Sequence, residues 1–308
     1  MKKFVTAIML FASLLFSTVA YAQALKVSTG GPAGTYSKMF KEASNVCSTQ
    51  IPLAEFNSSG SNQNIDRLIG NEVNGAFVQS DVLFYRSRNE DFSAIKTLIT
   101  LHPEEVHVVA LSVSKHKEGG LVGIGGKTVE LNTINDLAGR RLVAAGGAFT
   151  TANVIRLQTE IPFQIEEVAT VELALAAVAD GRAHAALLVG GAPVGQVAAL
   201  DRAYKLLAFP EATAAKLKNV YRPAKLNYSK MGAAGVQSVS TDSLFVTREY
   251  KTTKFVEGLS KLRTCLLTNI SELSETTGTH AAWSKVDITN TGKWPYYSLP
   301  SAAPVVKK

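Results

Sequence analysis

Two stretches of this chain carry side chains able to make or break bonds. His102-Pro103-Glu104-Glu105-Val106-His107 gathers two imidazoles and two carboxylates, a set that could ligate a metal or move a proton. Its spacing matches no zinc pattern, and it reads as a strand edge or loop. The stretch from Gly120 to Thr128 ends in Gly-Lys-Thr, but a phosphate loop needs glycine where Leu121 stands. There is no Gly-x-Ser-x-Gly elbow and no Cys-x-x-Cys. His184, in the apolar run Ala183 to Val189, reads as a satisfied histidine rather than a base. The expectation is therefore a binding protein, not an enzyme, with no cofactor and no metal.

Binding chemistry is better represented. Leu25 to Ser28 reads as a short strand, Gly30-Gly31-Pro32-Ala33-Gly34 as a loop and Thr35-Tyr36 as the start of a helix. The first N–H groups of a helix have no partner within it, so this arrangement aims free donors at an anion. Asn57-Ser58-Ser59-Gly60-Ser61-Asn62-Gln63-Asn64 is a second strand-to-helix junction, in which seven of eight residues carry hydrogen-bonding side chains. One would suffice for capping, so the excess suits a polar small molecule. Gly146-Gly147-Ala148-Phe149-Thr150-Thr151-Ala152-Asn153 is a third such junction. Two of these loops facing each other across a cleft would clamp a carboxylate.

The elements that must hold these loops alternate. Ala54 to Asn57 precedes a helix from Ser61, Gly75 to Gln79 one from Asp81, and Arg141 to Ala145 one near Thr150. This rhythm is that of a parallel α/β sheet, with ligands expected at the carboxyl ends of the strands. Ser61, Asp81 and Thr133 are suited to capping the helices they precede. A polar, glycine-rich segment, Ser112 to Val129, follows the apolar run Ile95 to Leu111, and a second crossing is expected at Gly235 to Thr241, before a strand at Ser243 to Thr247 and a helix from Lys251 to Leu273. The expected organisation is a lobe of residues 23–111 plus 239–308, a second lobe of 112–238, and a hinge of two crossings.

Met1-Lys2-Lys3, the apolar run Phe4 to Phe16 and Ala20-Tyr21-Ala22 form a signal peptide over residues 1–22, which implies secretion to the periplasm. The formal charge of +7 is spread along the chain rather than gathered, so nucleic acid is not expected as a partner. Cys47 and Cys265 are the only cysteines. An oxidising compartment permits them to pair, the alternative being two buried thiols. Cys47 shares a helical apolar face with Tyr36, Phe40 and Ala43, so pairing would put the first and last thirds of the chain in one lobe.

Over nearly all of its mature length the chain resembles the TAXI family of TRAP transporter solute receptors. Gly30 to Tyr36 is similar to that family's opening Gly-rich, Thr-Tyr motif, Gly60-Ser61 with Asn64 to its Gly-Ser-x-x-Asn helix start, and Val78-Gln79-Ser80-Asp81 to its Val-Gln-Ser-Asp. Asn135 to Arg141, and Asp180-Gly181-Arg182 leading to Gly191-Ala192-Pro193, follow further family runs. The family's second-lobe Gly-Ser-Gly-Thr is replaced here by Ala148-Phe149-Thr150-Thr151, and His184 stands where aspartate is common.

The resemblance implies a two-lobe periplasmic-binding-protein fold of type II, an amino acid such as glutamate or a dicarboxylate as ligand, and a TRAP-type permease as membrane partner. The expected ligand-binding set is Gly31, Gly34, Thr35, Tyr36, Ser61, Asn64 and Gln79 from the first lobe and Phe149, Thr150 and Thr151 from the second. Backbone N–H groups would hold the carboxylate, Ser61, Asn64 and Gln79 would add side-chain bonds, and Phe149 would narrow the cleft, stack on a ligand or pack inward. A periplasmic sensing adaptor for a membrane signalling protein uses the same clamp and is the alternative.

Overall fold

The computed structural model describes residues 24–119 and 126–299. The expected signal peptide, most of the Gly120 to Thr128 stretch and the tail after Leu299 lie outside the described residues. The chain opens with the expected alternation: β1 (Leu25–Ser28), α1 (Thr35–Cys47), β2 (Leu53–Phe56), α2 (Ser61–Ile69), β3 (Gly75–Gln79) and α3 (Ser80–Arg86). Strands β2, β1 and β3 lie side by side in parallel. Helix α1 buries Tyr36, Met39, Phe40, Ala43 and Cys47, whose spacings of three and four residues make one apolar stripe.

The remaining elements are β4 (Ile95–Leu111), β5 (Lys117–Glu118), β6 (Lys127–Thr128), β7 (Arg141–Ala145), α4 (Gly147–Thr159), β8 (Gln164–Val168), α5 (Val171–Ala179), β9 (Ala185–Gly190), α6 (Gly195–Ala198), β10 (Tyr204–Leu206), α7 (Glu211–Lys216), β11 (Arg222–Tyr228), β12 (Ala233–Arg248) and α8 (Thr253–Glu275). The main sheet runs β2-β1-β3-β12-β4-β9-β7-β8, with β10 on β4 and β11 on β12. Parallel trios at its two ends are joined by the antiparallel pair β12 and β4.

These two long strands are where the halves meet. From Ile95 to Glu105, β4 pairs with β12, and from Glu105 to Ala110 it pairs with β9. Strand β12 in turn holds β11 with its first half and β3 with its second. The chain thus runs from one parallel end of the sheet to the other along regular strands, with β12 changing partners from β11 to β3 between Ser240 and Ser243. Each half has its own cores. One cluster joins β1, α1 and β3 to α8 and Trp283, and another packs α2 and α3 on β3 and β12. Two more lie around β7, α4, β9 and α5.

A disulfide joins Cys47 at the end of α1 to Cys265 in α8, with Cα atoms 5.9 Å apart and a separation of 218 positions in sequence. It therefore ties the opening segment to the closing helix inside one core.

Several local expectations change. Thr133 does cap the short 3-10 turn Ile134–Leu137, in a reciprocal box with Asp136. Ser61 does not cap α2: it is the helix's first residue, and the cap position is Gly60 at φ 119°. Asp81 likewise sits in the first turn of α3, where its carboxylate accepts from Val82 N. Helix α4 begins at Gly147, three residues before Thr150, so most of the expected third loop is helix. The His102 to His107 stretch is neither edge nor loop; it lies in the middle of β4, and both histidines are fully buried.

Candidate functional site

Three helix starts converge at the boundary between the halves. Helices α1 and α2 follow β1 and β2, so parallel pairing of those strands brings Gly34 and Gly60 to the same end of the sheet. Helix α4 arrives from the other half, and the approach is close enough to exclude side chains. A Cβ on Gly147 would overlap Gln79 Oε1 and stand 3.1 Å from Ser61 Oγ. A Cβ on Gly146, whose φ is +53°, would overlap Ser59 O, so glycine is needed there on both counts.

Between these starts lies a cleft of about 210 Å³, lined by Gly34, Thr35, Tyr36, Gly60, Ser61, Gln79 and Gly147, with Lys38, Glu104 and His280 among the other walls. The first intrahelical bond of α1 is Lys38 N to Gly34 O at 3.2 Å, and of α2 Asn64 N to Gly60 O at 3.0 Å. Neither helix has a side-chain cap, which leaves the N–H groups of the first turns as donors. Each helix also presents the positive end of its dipole, and no acidic residue occupies either first turn.

Of the expected residues, Gly34, Thr35, Tyr36, Ser61 and Gln79 line the cleft. Ser61 Oγ donates to Gln79 Oε1 at 3.2 Å and accepts from Gln79 N at 3.0 Å. Asn64 lies beneath this layer with none of its surface exposed. Its Oδ1 accepts from Ser28 Oγ and Ser58 Oγ, each at 2.6 Å, and its Nδ2 donates to Phe77 O at 2.7 Å and to Thr29 O. Asn64 is therefore a structural tie between β1, β3 and the loop after β2. Asn57 and Ser58 do similar work, reaching Gly30 O and Thr29 O. The polar excess of residues 57–64 is mostly spent on holding one loop to another. Gly31 stands off the cleft wall, where its O accepts from Gly34 N at 2.8 Å to close the turn.

Thr150 and Thr151 face the other half instead of the cleft. Asn62 Nδ2 donates to Thr150 Oγ1 at 3.0 Å. Thr151 Oγ1 accepts from Gln79 Nε2 at 3.2 Å and donates to Asp81 Oδ2 at 2.7 Å, where the Tyr221 hydroxyl also donates at 2.7 Å. Asp81 is fully buried, and that burial raises its pKa while these donors hold it down. Phe149, partly buried, packs against the second half's core.

Glu104, which the sequence offered only as an unpromising catalyst, forms part of the cleft floor. It is 3% exposed, and its Oε2 accepts from Tyr36 OH at 2.5 Å. Burial, helped by the neighbouring carboxylates Asp81, Glu105 and Asp242, pushes its carboxyl up to about 8, against the pull of the Tyr36 hydrogen bond. The Tyr36 hydroxyl is raised too, by burial and then by Glu104. Glu105 points the other way and pairs with Lys285 Nζ at 2.9 Å. His107 Nε2 meets Tyr228 OH at 2.7 Å, and burial lowers its pKa to about 4. His102 has no hydrogen-bond partner for either ring nitrogen among the described residues, and burial lowers it to about 3. His184, half-buried, stacks on His116 at 3.6 Å between ring centroids and accepts from Arg141 N.

An α/β sheet whose parallel ends share two long antiparallel strands, with a cleft at the strand ends between the halves, defines a periplasmic-binding-protein fold of two lobes. Residues 27–292 match the model of the NMT1-like family, and the chain belongs to that family. Among solved structures it is similar to the substrate-binding protein of an amino acid ABC transporter, with 11% identity, a TM-score of 0.50, and 80% of this chain and 94% of that one covered. It is also similar to the effector-binding domain of QuiR in complex with shikimate, with 12% identity, a TM-score of 0.49, and 79% and 96% covered. A third is the GluR0 ligand-binding core from Nostoc punctiforme with L-glutamate, with 14% identity, a TM-score of 0.47, and 80% and 93% covered. A comparison with curated proteins finds no match.

Proposed function

We propose that this chain is a periplasmic solute receptor that binds a small carboxylate-bearing molecule and delivers it to a TRAP-type membrane permease. The observation that carries this reading is the convergence of the uncapped starts of α1 and α2 on one cleft opposite α4. Such ends hold an anion through aligned N–H groups and the helix dipoles, without needing an arginine. Thr35, Tyr36 and Ser61 supply N–H groups to the carboxylate, and the Ser61 and Gln79 side chains set its orientation. Thr150 and Thr151 act one step removed, by drawing α4 against Asn62, Gln79 and Asp81 as the lobes close. A ligand favours closure only by the contacts it gains there. Closure is the signal a permease can read, and no bond of the ligand is broken. The signal-peptide pattern at residues 1–22 supports a periplasmic location.

The test is thermal unfolding of the mature chain, residues 23–308, against amino acids and C4 to C6 carboxylates. A ligand present at about 100 times its Kd adds about 2.7 kcal/mol, so an upward shift confined to carboxylates is expected. A protein whose unfolding temperature moves with none of them is not a carboxylate receptor.

A further inference from the structure

Glu104 is the one carboxyl side chain in the wall of the cleft, and its surroundings are unusual for an acid. The Tyr36 hydroxyl from α1 bonds it directly, and the negative charges of Asp81 from α3, Asp242 from β12 and Glu105, which turns away to Lys285, act on it through space. No lysine or arginine forms an ion pair with Glu104 among the described residues. Lys38 lines the cleft from the exposed face of α1, and His280 is held down in pKa by burial. The lining otherwise presents helix starts, whose partial charge is positive. Tyr36, in the first turn of α1, carries the bond to Glu104, so the acid sits beside the N–H groups that would take the anion. Two oxygen anions cannot share so dry a site at low cost, and one of them must keep a proton.

We infer, building on the carboxylate-receptor reading, that Glu104 is a protonated ligand-contacting acid that donates a hydrogen bond to the bound anion and so selects carboxylates lacking an ammonium group. The proton stays on Glu104; no covalent step is involved. An ammonium in the same place would face the helix starts without a negative partner. A carboxyl raised to about 8 keeps its proton at neutral pH and loses it just above, which makes anion binding proton-linked.

Calorimetry with glutarate and L-glutamate, which differ by the ammonium group alone, tests this between pH 6 and 9.5. Glutarate is expected to bind the more tightly, with an affinity that is flat to about pH 7.5 and falls about tenfold per pH unit above 8. Binding at pH 8.5, compared in Tris and phosphate, should take up about 0.8 proton per site in the wild-type protein alone. The Glu104→Gln variant, which donates but does not ionise, should lose this alkaline slope. A pH-independent glutarate affinity, or L-glutamate binding that strengthens as pH rises, overturns the role of Glu104 and leaves the receptor intact. Failure of both compounds and their C4 homologues to bind at any pH overturns the carboxylate reading and this inference with it.

Discussion

Stability should peak near pH 6.5 and fall on both sides, because buried groups in β4 hold their protons differently from the unfolded chain. Glu104 goes from an ordinary value of 4.5 to about 8, so between these values the folded protein holds a proton that the unfolded chain has released. Folding is favoured by that difference less and less as pH rises, at about 1.4 kcal/mol per pH unit, or about 2 kcal/mol from pH 6.5 to 8. His102 and His107 go from 6.5 to about 3 and about 4, so below pH 6.5 the unfolded chain takes up protons that the folded one refuses. Those two histidines cost about 2.7 kcal/mol per unit of acidification, of which Glu104 returns about 1.4 until pH 4.5. The net acid limb is about 3 kcal/mol between pH 6.5 and 4.5. Urea midpoints at pH 4.5, 5.5, 6.5, 7.5 and 8.5, at constant ionic strength, would trace this curve. Glu104→Gln should flatten the alkaline limb and steepen the acid limb to about 2.7 kcal/mol per pH unit, since the offset from Glu104 is gone. An alkaline limb unchanged in that variant, or a wild-type maximum above pH 8, would refute the assignment of these protons.

Two further outcomes follow from the ties described above. Replacing Cys47 and Cys265 by alanine opens a loop closed over 218 residues, and the chain-entropy model gives a loss of up to about 5 kcal/mol, readable as a lower urea midpoint relative to the oxidised protein; a change under about 1 kcal/mol would mean that the core alone fixes α8 on α1. Asn64→Ala removes four hydrogen bonds, three of them buried, and should destabilise the protein by about 2 to 4 kcal/mol, whereas Ser61→Ala removes two bonds to Gln79, should cost about 1 to 2 kcal/mol and should weaken ligand binding; an Asn64 variant that loses affinity without losing stability would overturn its structural role.

The alternation of strands and helices was legible because β1 to α3 obey local rules. Each strand is short and apolar, each helix has one apolar face, and Gly60 or Gln79 marks the turn between them. What could not be read was whatever depends on two distant segments meeting. The surplus of polar residues at 57–64 looks like a ligand site until Asn64 is seen to fill the gap between Ser28, Thr29 and Phe77. Gly147 reads as one more flexible loop residue, although it is there because Gln79 approaches from another part of the chain. Glu104 and the flanking histidines read as a strand edge or loop because charged residues seldom occupy a central strand. The only hint in sequence was their position inside the long β-like run Ile95 to Leu111. Glycine near 235 suggests a linker, whereas the backbone on either side of it pairs with β11 and continues as one strand, β12.

The bond between Cys47 and Cys265 also bears on the order in which the molecule is made. The core that surrounds it draws on both ends of the chain, so it stays incomplete until the last helix has emerged. The intervening segment, by contrast, is continuous and carries its own cores, and it is the part able to fold first during synthesis or export. Cys47 must wait throughout as a free thiol. With no third cysteine in the chain, the nascent protein has no wrong internal pairing to escape from, and any misoxidised product must join it to another molecule.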